Sequence, residues 1–461
     1  MDTAILDDVS AGRLVLLVLA ILTACGFEFI NGFHDTANAV ATVIYTKTLR
    51  PWRAVIYSGV LNFLGVFTGG IAVALAIIKL LPVELLVEGG HARGLAMIFA
   101  LLFSAMIWNF GTWYLGLPAS SSHTLIGAIL GVGIMNSAIT EQFGHGVNWG
   151  QAWHVLGSLL VSPLVGFTLA ALVLLIMHGV VKDRRVFRTS DSESDRPPGW
   201  VRALLIATCG GVSFAHGSND GQKGVGLIML MLIGILPATF AVNDRATEEQ
   251  VQSALHAANR IEAVFAEHCT SRDPTELACI GQDRAHRIGK VLLGHSTVEG
   301  LGSEARWSIR ESVLRIDDCL RELELGDRMR PERAAIGALT DYAPWWVLLV
   351  VAFSLGLGTM IGWKRIVVTV GEKIGKSHLT YAQGAAAELV AMSTIGLSSF
   401  AGLPVSTTHM LSSGIAGTMV IEGSGLQLKT IKQIALAWVL TLPASMLLSA
   451  LLFYVFTRFA G

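Results

Sequence analysis

The stretch GLPASSSHTL, from Gly116 to Leu125, lies in a run from Gly94 to Thr140 that contains no Asp, Glu, Lys or Arg. Nearly the same motif returns as GLPVSTTHML, from Gly402 to Leu411, in a second apolar run. The chain of 461 residues is 52% hydrophobic and 15% charged, whereas soluble domains carry about 25% charged residues. Because a spanning helix needs roughly 20 apolar residues, these runs predict an all-α polytopic membrane protein.

A second motif is also duplicated. NGFHDTANAVAT (Asn31–Thr42) matches HGSNDGQKGVGL (His216–Leu227) at an offset of 185 residues, and the GLP motifs match at an offset of 286. The difference, 101 residues, equals the length of the polar segment 241–341. We therefore predict two similar halves, the second of which contains one insertion.

The apolar runs predict about five crossings in each half. An odd number makes the second copy enter the membrane in the opposite orientation. Such inverted-topology repeats are typical of secondary transporters, whose sites lie near the bilayer midplane. The predicted order is first transmembrane repeat, cytoplasmic linker, start of the second repeat, polar helical insert and remainder of the second repeat, at 1–181, 182–200, 201–240, 241–341 and 342–461.

Loop charges orient this arrangement. Basic residues concentrate at 47–53, in the linker and at 364–376, and the positive-inside rule places all three loops in the cytoplasm. The termini and the insert then lie outside. The insert has apolar residues at helical spacing, which predicts a helical cap or assembly element. In an oxidising compartment Cys269 and Cys279 can pair; two free thiols are the alternative.

The GLP motifs predict two short helices that begin inside the membrane. Pro118 and Pro404 favour a first helical turn, and the hydroxyl residues after them are N-cap residues. Two helix N-termini that converge at the midplane offer N–H donors and partial positive charge to an anion. Ordinary capping of each helix is the alternative. The candidate phosphate- or anion-binding residues are Ser120, Ser121, Ser122, Ser406, Thr407 and Thr408.

Aspartates also occur within the apolar runs, where a charge costs at least about 2.5 kcal/mol. Asp35 and Asp220 occupy equivalent places in the two halves, each shortly after a glycine, Gly32 or Gly217. We predict broken helices at these glycines. Two carboxylates beside an anion require cations, and this requirement predicts symport.

Other titratable residues in the apolar runs have more than one interpretation. His123 and His409 sense protons or bind the substrate, or they brace the packing of the short helices. Glu28 and Glu388 are proton carriers or, in the interpretation we favour, structural partners of Lys223. No zinc-type spacing of Cys and His indicates a fixed structural metal site.

At these motifs the chain resembles the inorganic phosphate transporter (PiT) family, over nearly its whole length and with the motifs in the same order. GFHDTANAVAT is similar to the family's N-terminal signature, and HGSNDGQKGVGLI to the C-terminal signature of its bacterial low-affinity branch. The resemblance implies an inverted-repeat bundle with broken or re-entrant helices. It also implies a homodimer in the inner or plasma membrane that imports inorganic phosphate with a cation and needs no cofactor.

The resemblance further implies roles for single residues. In sodium-coupled relatives the signature Asp and the Asn three residues later take part in cation binding, which here corresponds to Asp35 and Asn38. The second half has Asp220 but Lys223 in place of the Asn. The lysine either replaces one sodium ion or binds phosphate, and this departure favours proton over sodium coupling. The substrate is free phosphate or a neutral complex with magnesium or another divalent metal. Supporting residues of the same signature are Asn219 and Gln222.

Other functions fit parts of the pattern. The same donors would bind sulfate or another oxyanion. Ser120 and His123 lie one helical turn apart, as in an intramembrane enzyme, but a nucleophilic site seldom needs two copies, and we predict no enzyme. A channel is disfavoured because buried paired charges suit ordered binding. A net charge of −1 gives no indication of a nucleic-acid partner, so the predicted partners are phosphate and the lipid bilayer.

Overall fold

The computed structural model describes residues 11–81, 91–141, 146–189, 197–269 and 276–460, and within these ranges its regular structure is helical apart from two isolated β-bridges. The chain divides into a larger compact unit, Val15–Met231 with Trp345–Gly461, and a smaller one that contains Leu232–Pro344. The α-helices in chain order are α1 (Ala11–Tyr45), α2 (Pro51–Thr68), α3 (Ala72–Ile78), α4 (His91–Tyr114), α5 (Ser121–Ile139), α6 (Trp149–Val180), α7 (Gly199–Ile235), α8 (Pro237–Phe240), α9 (Glu248–His268), α10 (Leu277–Leu292), α11 (Ser303–Glu322), α12 (Arg330–Gly337), α13 (Trp345–Met360), α14 (Lys364–Glu372), α15 (Tyr381–Phe400), α16 (Thr407–Glu422) and α17 (Leu428–Ala460).

Several helices are long and apolar enough to cross a membrane. Among the described residues five single helices meet this criterion, α1, α4, α5, α6 and α17, and so do two bent pairs, α2–α3 and α13–α14. The helix axis changes direction by 72° in the first pair and by 63° in the second. The chain is therefore a multi-pass helical membrane protein with broken helices, as the sequence predicts.

The helices of the larger unit occur twice in the same order. Helix α1 corresponds to α7, the pair α2–α3 to α13–α14, α4 to α15, α5 to α16, and α6 to α17. The packing repeats as well, because α5 packs against α17 and α16 packs against α6. Helices α7, α15 and α16 do not meet this criterion of length and apolarity, and α16 has only 16 residues, but each corresponds to a helix that meets it. The total of about ten crossings and the inverted orientation of the second copy stay predictions.

The helix breaks lie elsewhere than the sequence predicts. Gly32 and Gly217 lie within α1 and α7, which are continuous helices of 35 and 37 residues. The prediction of helix breaks at these glycines is therefore wrong. A Cβ atom at Gly32 would overlap the backbone of α13, and one at Gly217 the backbone of α2. These glycines therefore allow close helix packing. The bends of the two broken pairs contain Gly70 and Gly362, with φ of 82° and 76°, a conformation that glycine adopts readily.

The smaller unit has an apolar core of its own, which includes Ile261, Phe265 and Ile288. Helix α9 packs against α10 and α12, and α10 packs against α11. Helix α9 begins with a capping box, in which the side chains of Thr247 and Gln250 each accept from the other's backbone N–H. Helices α9 and α11 coincide with amphipathic segments of the predicted insert.

A disulfide and a buried arginine close this unit. Cys269, at the end of α9, is bonded to Cys279 in α10, so of the two alternatives left by the sequence the structure has the pair. Arg310 donates to the carbonyl oxygens of Ala241 and Thr340, at 2.9 and 3.3 Å. The two ends of the segment 241–341 therefore lie side by side, as an inserted unit requires.

Candidate functional site

Two short helices carry the hydroxyl residues of the GLP motifs. Helix α5 begins at Ser121 and α16 at Thr407, and their N-cap residues are Ser120 and Ser406. Each N-cap hydroxyl accepts from the backbone N–H three residues later, at 3.2 and 3.1 Å. These bonds satisfy one free donor of each helix, and the predicted capping is present in both copies.

The prolines of the motifs lie outside the helices. Pro118 and Pro404 precede the N-cap residues by two positions, so the prediction of a first-turn proline is wrong. Gly116 and Gly402 both have φ of 68°, which glycine alone adopts without strain. A glycine turn followed by a proline therefore sets the path by which the chain approaches each helix.

The two helix N-termini meet inside the protein. Ser122 Oγ donates to the carbonyl oxygen of Val405, just before α16, at 3.0 Å. The rings of His123 and His409 lie with their centroids 4.5 Å apart, and Trp438 packs on His409 at 4.1 Å. All six predicted hydroxyl residues are buried. The structure thus brings both GLP motifs together, and both predicted roles of the histidines, packing and binding of a proton or the substrate, stay predictions.

Asp35 of α1 joins the two short helices. Its carboxylate accepts from Ser121 Oγ at 2.5 Å and from Thr408 Oγ1 at 2.7 Å, one hydroxyl from each half. His34 Nδ1 lies 2.8 Å from the same carboxylate. Asn38, the residue predicted to assist Asp35, has a side chain that lies outside the described residues. The first aspartate of the duplicated motif therefore contacts candidate anion ligands of both halves.

Asp220 of α7 has an equivalent setting with one addition. Thr407 Oγ1 lies 3.4 Å from its carboxylate, as Ser121 lies near Asp35 in the first half. By the same symmetry Ser122 should contact Asp220. Instead, the ammonium of Lys223 lies between them, 2.5 Å from Asp220 Oδ1 and 2.5 Å from Ser122 Oγ.

Lys223 is almost fully buried, with 2% of its surface exposed. Besides Asp220 and Ser122, its ammonium donates to the carbonyl oxygen of Val405 at 3.2 Å. A carboxylate, a hydroxyl and a carbonyl oxygen are the groups that bind hard cations in proteins. The ammonium therefore lies where a metal cation would find oxygen ligands.

Asn219 and Gln222 fix backbone segments beside this site. Asn219 donates to and accepts from the backbone of the loop that leads into α16, at 3.0 and 3.2 Å. Gln222 donates to the backbone at the end of α2 at 2.9 Å and accepts from the start of α3 at 2.7 Å. Their contacts are those of positioning residues, and the supporting role predicted for them stays a prediction.

Glu28 and Glu388 are buried, and their hydrogen bonds go to residues other than Lys223, although Glu28 interacts electrostatically with that lysine. Glu28 accepts from Asn31 at 3.2 Å. Glu388 accepts from a threonine of α7 at 2.5 Å and from a threonine of α1. Among the described residues neither glutamate makes a direct contact with Lys223, whose ammonium is surrounded by Asp220 and the two GLP segments, so the predicted role as its structural partners stays a prediction.

Two histidines belong to the site although the sequence interpretation did not assign them. His34 Nε2 lies 3.1 Å from a threonine hydroxyl of α4, and His216 Nδ1 lies 2.6 Å from an asparagine of α2. His216 Nε2 is 3.3 Å from Asp220, and ligand atoms of Asp35, His216 and Asp220 lie within 4.8 Å of one another. This cluster can hold a cation. The sequence feature that could have identified them is that both histidines lie within the duplicated motifs.

Fold and site together define a class of protein. Duplicated sets of membrane helices meet at one buried site of hydroxyls, carboxylates and an ammonium group, which is the architecture of a secondary transporter. Residues 31–449 match the sequence pattern of the phosphate transporter family, and the chain belongs to this family.

Individual relatives agree with this assignment. The chain is 42% identical to the low-affinity inorganic phosphate transporter PitA of Escherichia coli K12, over 98% of each chain. It is also 42% identical to PitB of the same organism, over 97% of each. A solved structure described as the sodium-dependent phosphate transporter shares the fold, with a TM-score of 0.57, 19% identity, and 96% of this chain and 99% of that chain covered. The predictions of family and of a transporter rather than an enzyme are confirmed.

Proposed function

We propose that this chain imports inorganic phosphate by cation symport, with the proton as the coupled cation. Family membership supports phosphate as the substrate. Sodium coupling, and transport of another oxyanion such as sulfate, are the competing functions. The observation that carries the proposal is the position of the Lys223 ammonium between Asp220 and Ser122.

Four of the six candidate hydroxyls form the proposed phosphate site. Ser120 and Ser406 serve as N-caps of their own helices. The other four contact groups outside their own helices, and they are Ser121, Ser122, Thr407 and Thr408. Together with the N–H groups of two helix N-termini, they offer neutral donors to an anion from opposite sides.

Coupling follows from competition for hydroxyl protons. A serine or threonine hydroxyl has one proton to donate, and Ser121 and Thr408 donate theirs to Asp35. A cation that neutralises Asp35 frees both hydroxyls to donate to phosphate, and it removes the repulsion between two anions. Each ligand therefore raises the affinity of the other, which is the linkage that symport requires.

Lys223 makes the second half independent of a co-transported cation. Its ammonium already neutralises Asp220 and leaves Thr407 only weakly engaged, at 3.4 Å. Asp35 is then the one aspartate of the pair that needs a cation during transport. A proton serves there, since a single neutralised carboxylate suffices and no shell of oxygen ligands is needed.

A neutral divalent metal–phosphate complex is a second candidate substrate, favoured by the cluster of Asp35, His216 and Asp220. In this scheme the cluster binds the metal ion while the four hydroxyls bind its phosphate. Magnesium or another divalent ion is then cargo, and the scheme needs no resident cofactor.

We also propose a homodimer, the assembly that the sequence resemblance implies. The contacts around Asp35 and Asp220 join both halves of one chain. Each copy of the proposed dimer therefore contains a whole site of its own.

Uptake of radiolabelled phosphate into proteoliposomes tests the proposal. A proton gradient, a sodium gradient and magnesium without either gradient are imposed separately, with sulfate as competitor. We expect uptake driven by protons and insensitive to sodium. Lys223→Asn restores the residue of the first half, and we expect this variant to lose uptake under protons alone and to recover it with sodium.

The matched control is Lys432→Asn, which removes one exposed lysine of α17 and should leave coupling unchanged. Sodium-driven uptake by the unmodified protein would contradict the role of Lys223 as a built-in cation. Absence of phosphate uptake under every condition, or equal uptake of sulfate, would contradict phosphate transport itself.

A further inference from the structure

An open cavity of about 680 Å³ lies in the larger unit, where α4 ends and α13 bends into α14. Its volume falls in the range of small-ligand sites, about 300–1,000 Å³. Three basic residues line it, Lys364, Arg365 and Lys373, and no carboxylate is among the described residues that do so. Such a cavity attracts small anions.

All three basic residues are exposed, and the arginine is also held by aromatic residues. The Arg365 guanidinium lies 5.2 and 4.9 Å from the ring centroids of Trp113 and Tyr114. It also donates to the backbone oxygen of Tyr114 at 3.0 Å. Lys364 and Lys373 have no ion-pair partner among the described residues, so their ammonium groups are available to an anion.

Two short links join this cavity to the site around Asp35. Gly116 lines the cavity and lies four residues before Ser120 in the first GLP motif. On another wall, the ring of Trp113 packs on Phe33 at 4.9 Å between centroids, and Phe33 lies two residues before Asp35. One aromatic contact therefore joins a residue of the cavity wall to the helix segment that carries Asp35.

Only one of the two repeats has basic residues at this place, among the described residues. In the second half, Gly402 approaches the start of α3, where its Cβ would lie 3.3 Å from the carbonyl oxygen of Ala72. The residues that open α3, Ala72 and Val73, take the place of Lys364 and Arg365 at the start of α14. The repeat itself thus does not require basic residues here.

We propose that this cavity is the cytoplasmic vestibule of the transport path. It is an outer subsite in which Lys364 and Lys373 hold inorganic phosphate, and the contact of Phe33 with Trp113 closes it from Asp35. The cytoplasmic placement follows from the basic segment 364–376 and the positive-inside rule. The inference rests on the proposed transport of phosphate.

Protection of a cysteine in the cavity wall tests this subsite. Val368 lines the cavity, and Val368→Cys is placed in a background without the free cysteines Cys25, Cys209 and Cys319. The rate of labelling by a neutral maleimide is measured with increasing inorganic phosphate at constant ionic strength. We expect phosphate to slow labelling at least about threefold, and Lys364→Gln with Lys373→Gln to abolish this protection.

Two control proteins separate local occupancy from other effects. Lys429→Gln with Lys432→Gln removes the same charge from exposed positions of α17, and protection should persist. Thr408→Val impairs the deeper site, and protection should again persist if phosphate occupies the cavity itself. Protection that is lost in Thr408→Val, or in the α17 pair to the same degree, would overturn the vestibule.

The lipid composition distinguishes a free anion from a headgroup. Labelling is compared in bilayers of phosphatidylcholine alone and with added phosphatidylglycerol. Slowing by phosphatidylglycerol, with no further effect of inorganic phosphate, would overturn the vestibule in favour of a lipid site. Uptake without protection would overturn the vestibule alone, whereas protection without uptake in the transport assay would overturn the proposed function.

Discussion

Thr408 is the residue through which the second half reaches the carboxylate of the first. Its hydroxyl donates to Asp35 at 2.7 Å, although the two residues are 373 positions apart in the chain. A hydrogen bond to a charged group contributes about 1.5–3 kcal/mol. In the proposed cycle the same hydroxyl turns from the carboxylate to phosphate, so its loss affects the empty and the loaded site differently.

We expect Thr408→Val to weaken phosphate binding by about tenfold to a hundredfold, because the valine keeps the shape but has no proton to donate. Thr408→Ser, which keeps the hydroxyl, should restore most of the affinity. The dissociation constant of purified protein for phosphate, measured by calorimetry, checks both. Thr418→Val is the control, since Thr418 donates only to a backbone oxygen of its own helix. Equal losses in Thr408→Val and Thr418→Val would exclude a specific role.

At this scale the sequence predicts the members of the site better than their partners. Asp35, Asp220 and the hydroxyls follow from duplication, because two equivalent polar residues in apolar runs are a strong signal. The residue that contacts the ammonium of Lys223 cannot be predicted from the duplication. Whether the ammonium of Lys223 contacts Glu28, Glu388 or Asp220 depends on how α1, α7 and the short helices pack. From the sequence alone, each of these three carboxylates could neutralise the charge of the lysine equally well.

Among the elements, α5 and α16 depend on close backbone contact with their neighbours. A Cβ atom at Gly131 would overlap the carbonyl oxygen of Met446 in α17, and one at Gly417 would overlap that of Phe167 in α6. Gly131 and Gly417 are equivalent, since they lie 286 residues apart. Both short helices therefore pack in the same way, because a glycine in each allows the backbone of the neighbouring helix to come into close contact.

We expect Gly131→Ala to destabilise the protein, since overpacking costs about 1–3 kcal/mol where neighbouring backbone cannot move. The melting temperature in detergent should fall, and phosphate binding should weaken because α5 carries Ser121 and Ser122. Gly157→Ala is the matched control in α6, where an added Cβ meets nothing within 4 Å. That variant should melt at the same or a higher temperature, because alanine favours the helix. A lower melting temperature for Gly157→Ala alone would refute this account of the packing.

The same residue type explains why the element boundaries were predicted only in part. Glycine in an apolar run is needed either for a turn with positive φ or for close packing, and the one-letter code does not distinguish the two. Gly32 and Gly217 suggested breaks but serve packing, while Gly70 and Gly362 are the actual bends. The helix starts after the GLP motifs were predictable, because a glycine, a proline and three hydroxyl residues leave few other interpretations.

For the whole molecule, the duplicated order of helices makes a prediction about sidedness. The loop after α1 and the segment after α7 follow corresponding helices. In an inverted repeat these two segments lie on opposite faces of the membrane, whereas in a parallel repeat they lie on the same face. The disulfide between Cys269 and Cys279 agrees with an oxidising compartment for the smaller unit.

Single-cysteine labelling in intact cells decides between these arrangements. The reporters are Arg50→Cys, in the loop after α1, and Glu299→Cys, in the smaller unit; both positions are exposed. The disulfide is kept, and the three free cysteines are replaced, although burial raises the pKa of the Cys319 thiol to about 11 and so keeps it unreactive at neutral pH. We expect a membrane-impermeant maleimide to label Glu299→Cys in intact cells and Arg50→Cys only after permeabilisation. Labelling of both reporters from the same side would rule out the inverted repeat, and with it the convergence of two oppositely oriented copies on one phosphate site.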